Sequence, residues 1–436
     1  MKIKFGISTA VSLVIANMIG TGIFTSLGFQ VIDIKSGFAL LLLWLIGGIS
    51  ALIGALAYAE LGTAMPRSGG EYHFLSKIYH PVLGFMAGWI SFIIGFAAPT
   101  AAAAIALGAY LTAALGIDAT FLSLGLDRII ALGVVCLLVA LHSGNKIAGA
   151  YFQNVFTAIK VIAFLILIII GLTADLHQPV NFSVSREALR EIISPAFAIS
   201  LFFVSYSYSG WNAAAYIAGE IDKPGKNLPR SLIIGTLIVT ILYVFTTYIF
   251  LKVIPINTMA GKIEIGYLFG NQLFPVQTST IMGIIFSLLL LSTVSSMIIT
   301  GPRVTQVMGE DYRILRWFSK LTGRDIPVRA ILIQGIISVV YILTSTFEQV
   351  ITLIGFTLNL FTLLAVTGLI INRRRNPGLS PPFKMKLYPV LPFIFILINL
   401  WILVYGLIYR PVESSAGILI AAAGGLFYLL EKRNKG

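Results

Sequence analysis

The chain has 436 residues, of which 58% are hydrophobic and 11% charged, with a formal net charge of +13. Soluble domains are nearer half apolar, so this balance excludes a water-soluble globular protein. It also excludes a basic nucleic-acid surface, because the Lys and Arg residues are scattered over connections with no soluble domain to present them.

Apolar stretches of about 20 residues recur along the whole length, each enough to cross about 30 Å of hydrocarbon. Only helices and closed barrels satisfy their backbone hydrogen bonds in lipid. Barrel strands would be about 10 residues long and alternate in polarity. Runs such as Ala39 to Leu56 and Ile159 to Leu172 do neither, which predicts an all-α membrane protein. Twelve spans are expected, near 7–31, 38–62, 82–115, 128–144, 147–173, 194–218, 229–253, 277–301, 328–346, 349–372, 389–409 and 414–431. The third is long enough to tilt steeply.

With the N-terminus inside, 22 of the 30 Lys and Arg residues fall on the inner side and Lys160 falls within a span. That asymmetry places both termini in the cytoplasm. The first segment lacks a small-residue cleavage site and continues as a long span, so it reads as a retained helix rather than a signal peptide. The single cysteine, Cys136, lies in the fourth span, which excludes an intramolecular disulfide and a cysteine-based metal site. The longest polar connections are 302–327 and 373–388. The second begins with Arg373-Arg374-Arg375, which reads as a topology anchor, with a specific anionic-lipid site as the alternative.

The first span is interrupted by Gly20-Thr21-Gly22 and the sixth by Ser207-Tyr208-Ser209-Gly210. About five spans separate the two, so the sixth enters the membrane from the opposite side. Paired interruptions in two inverted halves point to the central site of a secondary transporter. The halves run over about 7–173 and 194–372, leaving spans eleven and twelve (about 389–431) outside the repeat. An unwound point frees amides on the helix that restarts and carbonyls on the helix that ends. The amides suit a carboxylate and the carbonyls an ammonium, so one broken helix can hold both ends of a zwitterion. Tyr206 is the candidate aromatic lid over the substrate.

Lys160 lies one turn or more into the fifth span, where an ammonium is expensive unless paired or hydrated. The reading is a fixed cation in place of a bound sodium ion, bridging the unwound first helix to hydroxyls of the eighth span, Ser295 and Ser296. A buried lysine can also exchange its proton, which leaves proton coupling open.

Glu60 and Glu220 read as interface or gating residues. The four histidines (His73, His80, His142 and His177) fall near loop ends without metal-like spacing. No phosphate loop, nucleophile elbow or zinc-protease motif occurs, so no cofactor, no ATP-driven pump and no enzyme is expected.

At these residues the chain resembles the amino acid–polyamine–organocation superfamily, and within it the L-type amino acid transporter branch. The motifs are Ile19-Gly20-Thr21-Gly22-Ile23-Phe24, Ala57-Tyr58-Ala59-Glu60-Leu61-Gly62 and Pro66-Arg67-Ser68-Gly69-Gly70-Glu71-Tyr72. Also matching are Asn154-Val155-Phe156-Thr157-Ala158-Ile159-Lys160, Ser209-Gly210-Trp211-Asn212 and Asn227-Leu228-Pro229-Arg230-Ser231. The resemblance implies a leucine-transporter-type fold: a 5+5 inverted repeat plus two extra helices, with helices 1 and 6 discontinuous. It implies that Thr21 and Gly22 offer amides to a substrate carboxylate. It also implies that the Met18 carbonyl, with backbone near Tyr206 and Ser209, takes the α-amino group. Gly20 and Gly210 belong to the two breaks, and Asn212 is the polar residue after the second. Lys160 stands in for sodium, and Tyr243 matches a seventh-span tyrosine implicated in the asymmetry of exchange.

Two departures shape the expected function. Animal light chains of this branch carry a cysteine between spans three and four that bonds a heavy chain. Here residues 116–127 have none, so a stand-alone bacterial inner-membrane protein is expected. Ser209 replaces the first glycine of a Gly-Gly-Trp-Asn pattern, which tilts the expectation toward small neutral amino acids. The expected activity is sodium-independent exchange or facilitated passage of such amino acids by alternating access, with a proton-coupled importer using Lys160 as the alternative. A channel would need a repeated filter or a charged ring, and a nutrient receptor a long signalling tail; neither is visible in the sequence.

Overall fold

The first helix stops where the glycines begin. In the computed structural model, which describes residues 5–117, 119–121, 124–144, 146–176, 178–322 and 326–433, α1 covers Ile7–Met18 and α2 covers Gly22–Asp33. His177 and the side chains of Asn154 to Thr157 lie outside the described residues. Among the described residues, nine helical stretches are long and apolar enough to cross a membrane, and α1 with α2 forms the first.

Next come α3 (Gly37–Ala64), α4 (Glu71–Ile78), α5 (Pro81–Ile90) and α6 (Ala97–Leu115). Ser36 caps α3 by accepting the Ala39 amide at 3.3 Å. The expected third span is one membrane-length stretch, Pro81–Leu115, with a change of helix type inside it. A π-helical turn at Ser91–Gly95 separates α5 from α6, and such turns are local insertions that periodicity does not reveal. Seven of the ten residues from Ala97 to Ala106 are alanine. Ala101 to Ala104 are fully buried, where small side chains let helices approach closely. Two-residue strands, β1 (Thr120–Phe121) and β2 (Leu124–Gly125), form an antiparallel hairpin before α7 (Leu126–Gly144).

Then follow α8 (Lys146–Thr173), α9 (Arg186–Ile192), α10 (Pro195–Tyr208) and the single-turn α11 (Ala213–Tyr216). Pro195 sits in the first turn of α10, where its missing amide is harmless, and Ser194 accepts the Phe197 amide. The chain continues through α12 (Pro224–Val253), α13 (Ile256–Met259), α14 (Ile265–Leu273) and α15 (Val276–Asp311). α15 carries Pro302 inside it and runs ten residues beyond the expected end of the eighth span. The supposed connection after 301 is therefore partly helix, followed by a 3₁₀ segment at Arg313–Ser319. The last elements are α16 (Val328–Thr344), α17 (Phe347–Arg375), α18 (Val390–Tyr409) and α19 (Pro411–Arg433). A capping box starts α17, Thr346 and Gln349 exchanging bonds at 3.2 and 2.9 Å.

Helix α6 packs against α15, α12 against α3, and α1 against α12. Lys252, near the end of α12, donates to the carbonyls of Gly171, Leu172 and Ala174 at 3.2, 3.1 and 2.8 Å, covering the exposed acceptors at the end of α8.

Candidate functional site

The two interruptions face each other. The chain between α1 and α2 passes the chain between α10 and α11 so closely that a Cβ on Gly22 would lie 2.2 Å from Ser207 Oγ and 2.4 Å from its Cα. Gly210 has φ +100°, and a Cβ there would sit 2.7 Å from the backbone carbon of Asn17. Glycine at these positions is therefore fixed by close approach and by conformation. No backbone acceptor takes the amides of Gly20, Thr21 or Gly22 among the described residues.

Side chains join the two breaks at several points. Tyr206, on the last turn of α10, shares a hydrogen bond between its hydroxyl and that of Thr21. Ser26 and Ser207 place their hydroxyl oxygens 3.2 Å apart. The Tyr243 hydroxyl lies 2.6 Å from the Met18 carbonyl and 3.1 Å from that of Ser207. One lone pair of the Met18 carbonyl is thus already engaged. Ser209 closes α10 with its amide donating to the Tyr206 carbonyl at 2.9 Å. The Asn212 amide reaches Glu71 of α4 at 2.6 Å.

Lys160 is 2% exposed. Its ammonium donates to the Ile19 carbonyl at 3.2 Å and to Thr293 Oγ1 at 2.8 Å. The span-eight hydroxyl it meets is therefore Thr293, not the expected Ser295 or Ser296. At about 100° per residue, Ser295 points to another side of α15, where it pairs with His142 Nε2 at 2.9 Å. Ser296 is buried, but no bond links it to Lys160. Thr293 also packs toward the first break, its Cγ2 lying 3.4 Å from a Cβ built on Gly20.

An aromatic shell surrounds the junction. Phe24 packs on Phe164 and Phe286 with ring centroids 4.7 and 5.0 Å apart, and Trp44 meets Tyr243 edge-on at 5.5 Å. The Tyr110 hydroxyl donates to the Phe24 carbonyl at 2.8 Å and accepts the Gly266 amide at 2.7 Å, tying α6 and α14 to the start of α2.

Toward the expected cytoplasmic face, Glu60 and Arg373 form a bidentate pair at 2.7 and 2.6 Å, and Glu60 Oε2 also accepts the Met385 amide at 2.7 Å. Arg67 pairs with Asp311 at 3.0 Å. A cavity of about 780 Å³ opens there, with Arg67, His73, Lys77, Asn372 and Asn376 among its lining residues. Burial, then the charges of Arg67 and Lys77, push the His73 imidazole below its ordinary value. Glu220 is exposed, and its carbonyl accepts the Phe5 amide at 2.8 Å. Sequence reasoning missed Thr293, His142 and the role of Glu71. For Glu71 the signal was available in the Gly-Gly-Glu turn of its motif.

A family model described as amino acid permease matches residues 5–429. The b(0,+)-type amino acid transporter 1 of Homo sapiens is 29% identical over 435 residues, covering 98% of this chain and 87% of that protein. Large neutral amino acids transporter small subunit 2 of Homo sapiens is 27% identical over 434 residues, covering 99% and 80%. The serine/threonine exchanger SteT of Bacillus subtilis (strain 168) is 28% identical over 448 residues, covering 99% and 98%.

Proposed function

Because this chain belongs to the amino acid permease family, a family of multi-pass membrane transporters, we propose that it is a sodium-independent exchanger or facilitator of small neutral L-amino acids. One observation carries the reading: the Lys160 ammonium bonds the Ile19 carbonyl inside the first break and Thr293 across from it. A fixed cation there holds the break in shape, which is the service a bound sodium ion would otherwise perform.

The free amides of Thr21 and Gly22 take the substrate carboxylate. The α-amino group goes to the remaining acceptor capacity of the Met18 carbonyl and to backbone beside Tyr206 and Ser209. Tyr206 lies over the substrate, Tyr243 and Asn212 hold the two breaks in register, and Ser209 with Gly210 shapes the pocket. Gly20 gives the first break its freedom. Twelve membrane helices in a 5+5 inverted repeat plus two, the first and sixth discontinuous, complete the architecture. Repeat one covers about 7–173, repeat two about 194–372 and the extra pair about 389–431. Both termini face the cytoplasm of a bacterial inner membrane, and no disulfide-linked heavy chain is required, since residues 116–127 lack cysteine. The names of the serine/threonine exchanger and of the neutral amino acid transporter subunit support the substrate class.

The test is radiolabelled amino acid uptake into proteoliposomes, with and without internal substrate, across pH and sodium. Internal serine or alanine should speed uptake, and a sodium gradient should not. Sodium-driven uptake would overturn the reading. Net uptake driven by a pH gradient favours the second reading, a proton-coupled importer using Lys160.

A further inference from the structure

The cavity of about 780 Å³ beside α4 lies in the size range of small-molecule sites, about 300–1,000 Å³. Its walls are the link from α3 to α4, α4 itself and the end of α17. Arg67 stands on the link, His73 and Lys77 on α4, and Asn372 and Asn376 at the end of α17. No carboxylate lines it among the described residues. A smaller cavity of about 230 Å³ shares Arg67, His73 and Lys77 and adds Asp311. The donors are only partly used. Arg67 gives Nη2 to the two Asp311 oxygens at 3.1 and 3.0 Å, and its Nε and Nη1 have no partner among the described residues. Lys77 is exposed in the last turn of α4, with no ion pair and no side-chain hydrogen bond among the described residues. His73 is 7% exposed, yet neither ring nitrogen has a hydrogen-bond partner among the described residues. A neutral imidazole keeps one N–H to give. The Asn376 amide donates to Asn372 Oδ1 at 2.9 Å, which leaves the Asn372 amide to donate elsewhere. Arg375 donates to the Ile78 carbonyl at 2.7 Å and clamps the end of α17 to the end of α4.

We propose that this cavity binds a phosphate-bearing anion, supplied as the headgroup of an anionic lipid or as free inorganic phosphate. An ammonium would find no counter-charge in its lining, which argues against a second site for a zwitterion. Unused donors on three walls suit an anion with several oxygens. The free edge of the Arg67 guanidinium matches two phosphate oxygens, and Lys77 adds a point charge. Two membrane-length helices, α3 and α17, both end here, and basic pockets at such helix ends take lipid headgroups. Leu379, at the rim, is 44% exposed and offers an apolar edge to an acyl chain. A bound anion ties the α3–α4 link to α17. Phosphate binding here is independent of which solute crosses the membrane.

The test uses the full-length protein in a neutral detergent, without amino acid. Native mass spectrometry titrates phosphatidic acid against phosphatidylcholine, and inorganic phosphate is titrated against chloride at equal ionic strength with melting temperature as the readout. Phosphatidic acid should be retained in preference to phosphatidylcholine, or inorganic phosphate should raise the melting temperature above chloride. Phosphatidic acid alone assigns the site to a lipid headgroup; inorganic phosphate that also displaces it assigns the site to free phosphate as well; inorganic phosphate alone assigns it to the soluble ion. Lys77→Glu should weaken the binding at least about tenfold, the scale of one charge-assisted hydrogen bond. Its ligand-free melting temperature should match wild type, because Lys77 is exposed and unpaired. Asn372→Asp sets an anion among the donors at constant volume and should also weaken binding. Lys320→Glu makes the same charge change as Lys77→Glu at an exposed residue outside the lining and should leave binding unchanged. Neither probe binding above its control, Lys77→Glu and Asn372→Asp both binding as wild type, or Lys320→Glu weakening binding as much as Lys77→Glu each overturns the proposal. Failure of amino acid uptake would instead count against the transport reading, which is measured separately.

Discussion

The hydroxyl of Tyr243 lies 2.6 Å from the Met18 carbonyl and 3.1 Å from that of Ser207, so one side chain of α12 touches the last turn before each break. Tyr243→Phe keeps the ring and removes the donor. A buried carbonyl stripped of its donor costs about 1–3 kcal/mol. The expected result is exchange slowed about tenfold in counterflow, with a lower melting temperature. Unchanged exchange would reduce Tyr243 to packing.

Lys160 is tested by two variants. Lys160→Met keeps length and volume but leaves the Ile19 carbonyl and Thr293 without their donor, and Lys160→Ala also opens a void. Both should cut counterflow by at least about tenfold, as for loss of a charged hydrogen bond worth about 1.5–3 kcal/mol. Transport by Lys160→Ala that is unchanged at every pH would make the lysine an interfacial anchor.

Gly20 and Gly22 should respond differently to alanine. At Gly22 the added carbon meets Ser207 Cα at 2.4 Å, a backbone contact that no rotamer relieves. At Gly20 the nearest atom is Thr293 Cγ2 at 3.4 Å. Gly22→Ala should therefore abolish exchange, with overpacking costing about 1–3 kcal/mol or more, while Gly20→Ala keeps part of it. Equal loss in both would contradict the geometry.

The Glu60–Arg373 pair buries a carboxylate that is 3% exposed. Glu60→Gln removes the charge from the pair, leaving the guanidinium with the Met385 carbonyl and the Tyr388 ring, and should destabilise the protein by about 1.5–3 kcal/mol. The double change Glu60→Gln with Arg373→Met should cost less than the single change, read as melting temperature in detergent.

For His73 the sign follows from linkage. Its folded value lies below the ordinary 6.5, so the unfolded chain binds the proton first and stability is lost as pH falls through 6.5. His73→Gln should flatten the decline in melting temperature between about pH 7 and about pH 5.5. A decline as steep as wild type would remove His73 from the balance.

Long apolar runs and the Gly20-Thr21-Gly22 signal were readable because composition alone dictates membrane helices and glycine alone weakens them. The Lys160 partner was not. Choosing among Thr293, Ser295 and Ser296 requires the rotation of α15 relative to α8, which tertiary packing sets. The π-turn at Ser91–Gly95 left no trace because its residues are as apolar as their neighbours. The eighth span was expected to end near 301, yet α15 continues through Pro302 to Asp311. Glu71 stood in the sequence only as part of a motif, since burial of its carboxylate depends on where the Gly69-Gly70 turn docks.

Lys252 has one further consequence. It fastens the far end of α12 to the end of α8, while Lys160 fastens the middle of α8 to the first break. Two ammonium groups therefore pin α8 at two heights, which makes it a strut. Motion that opens either side must pivot about this strut or withdraw a lysine from its carbonyls.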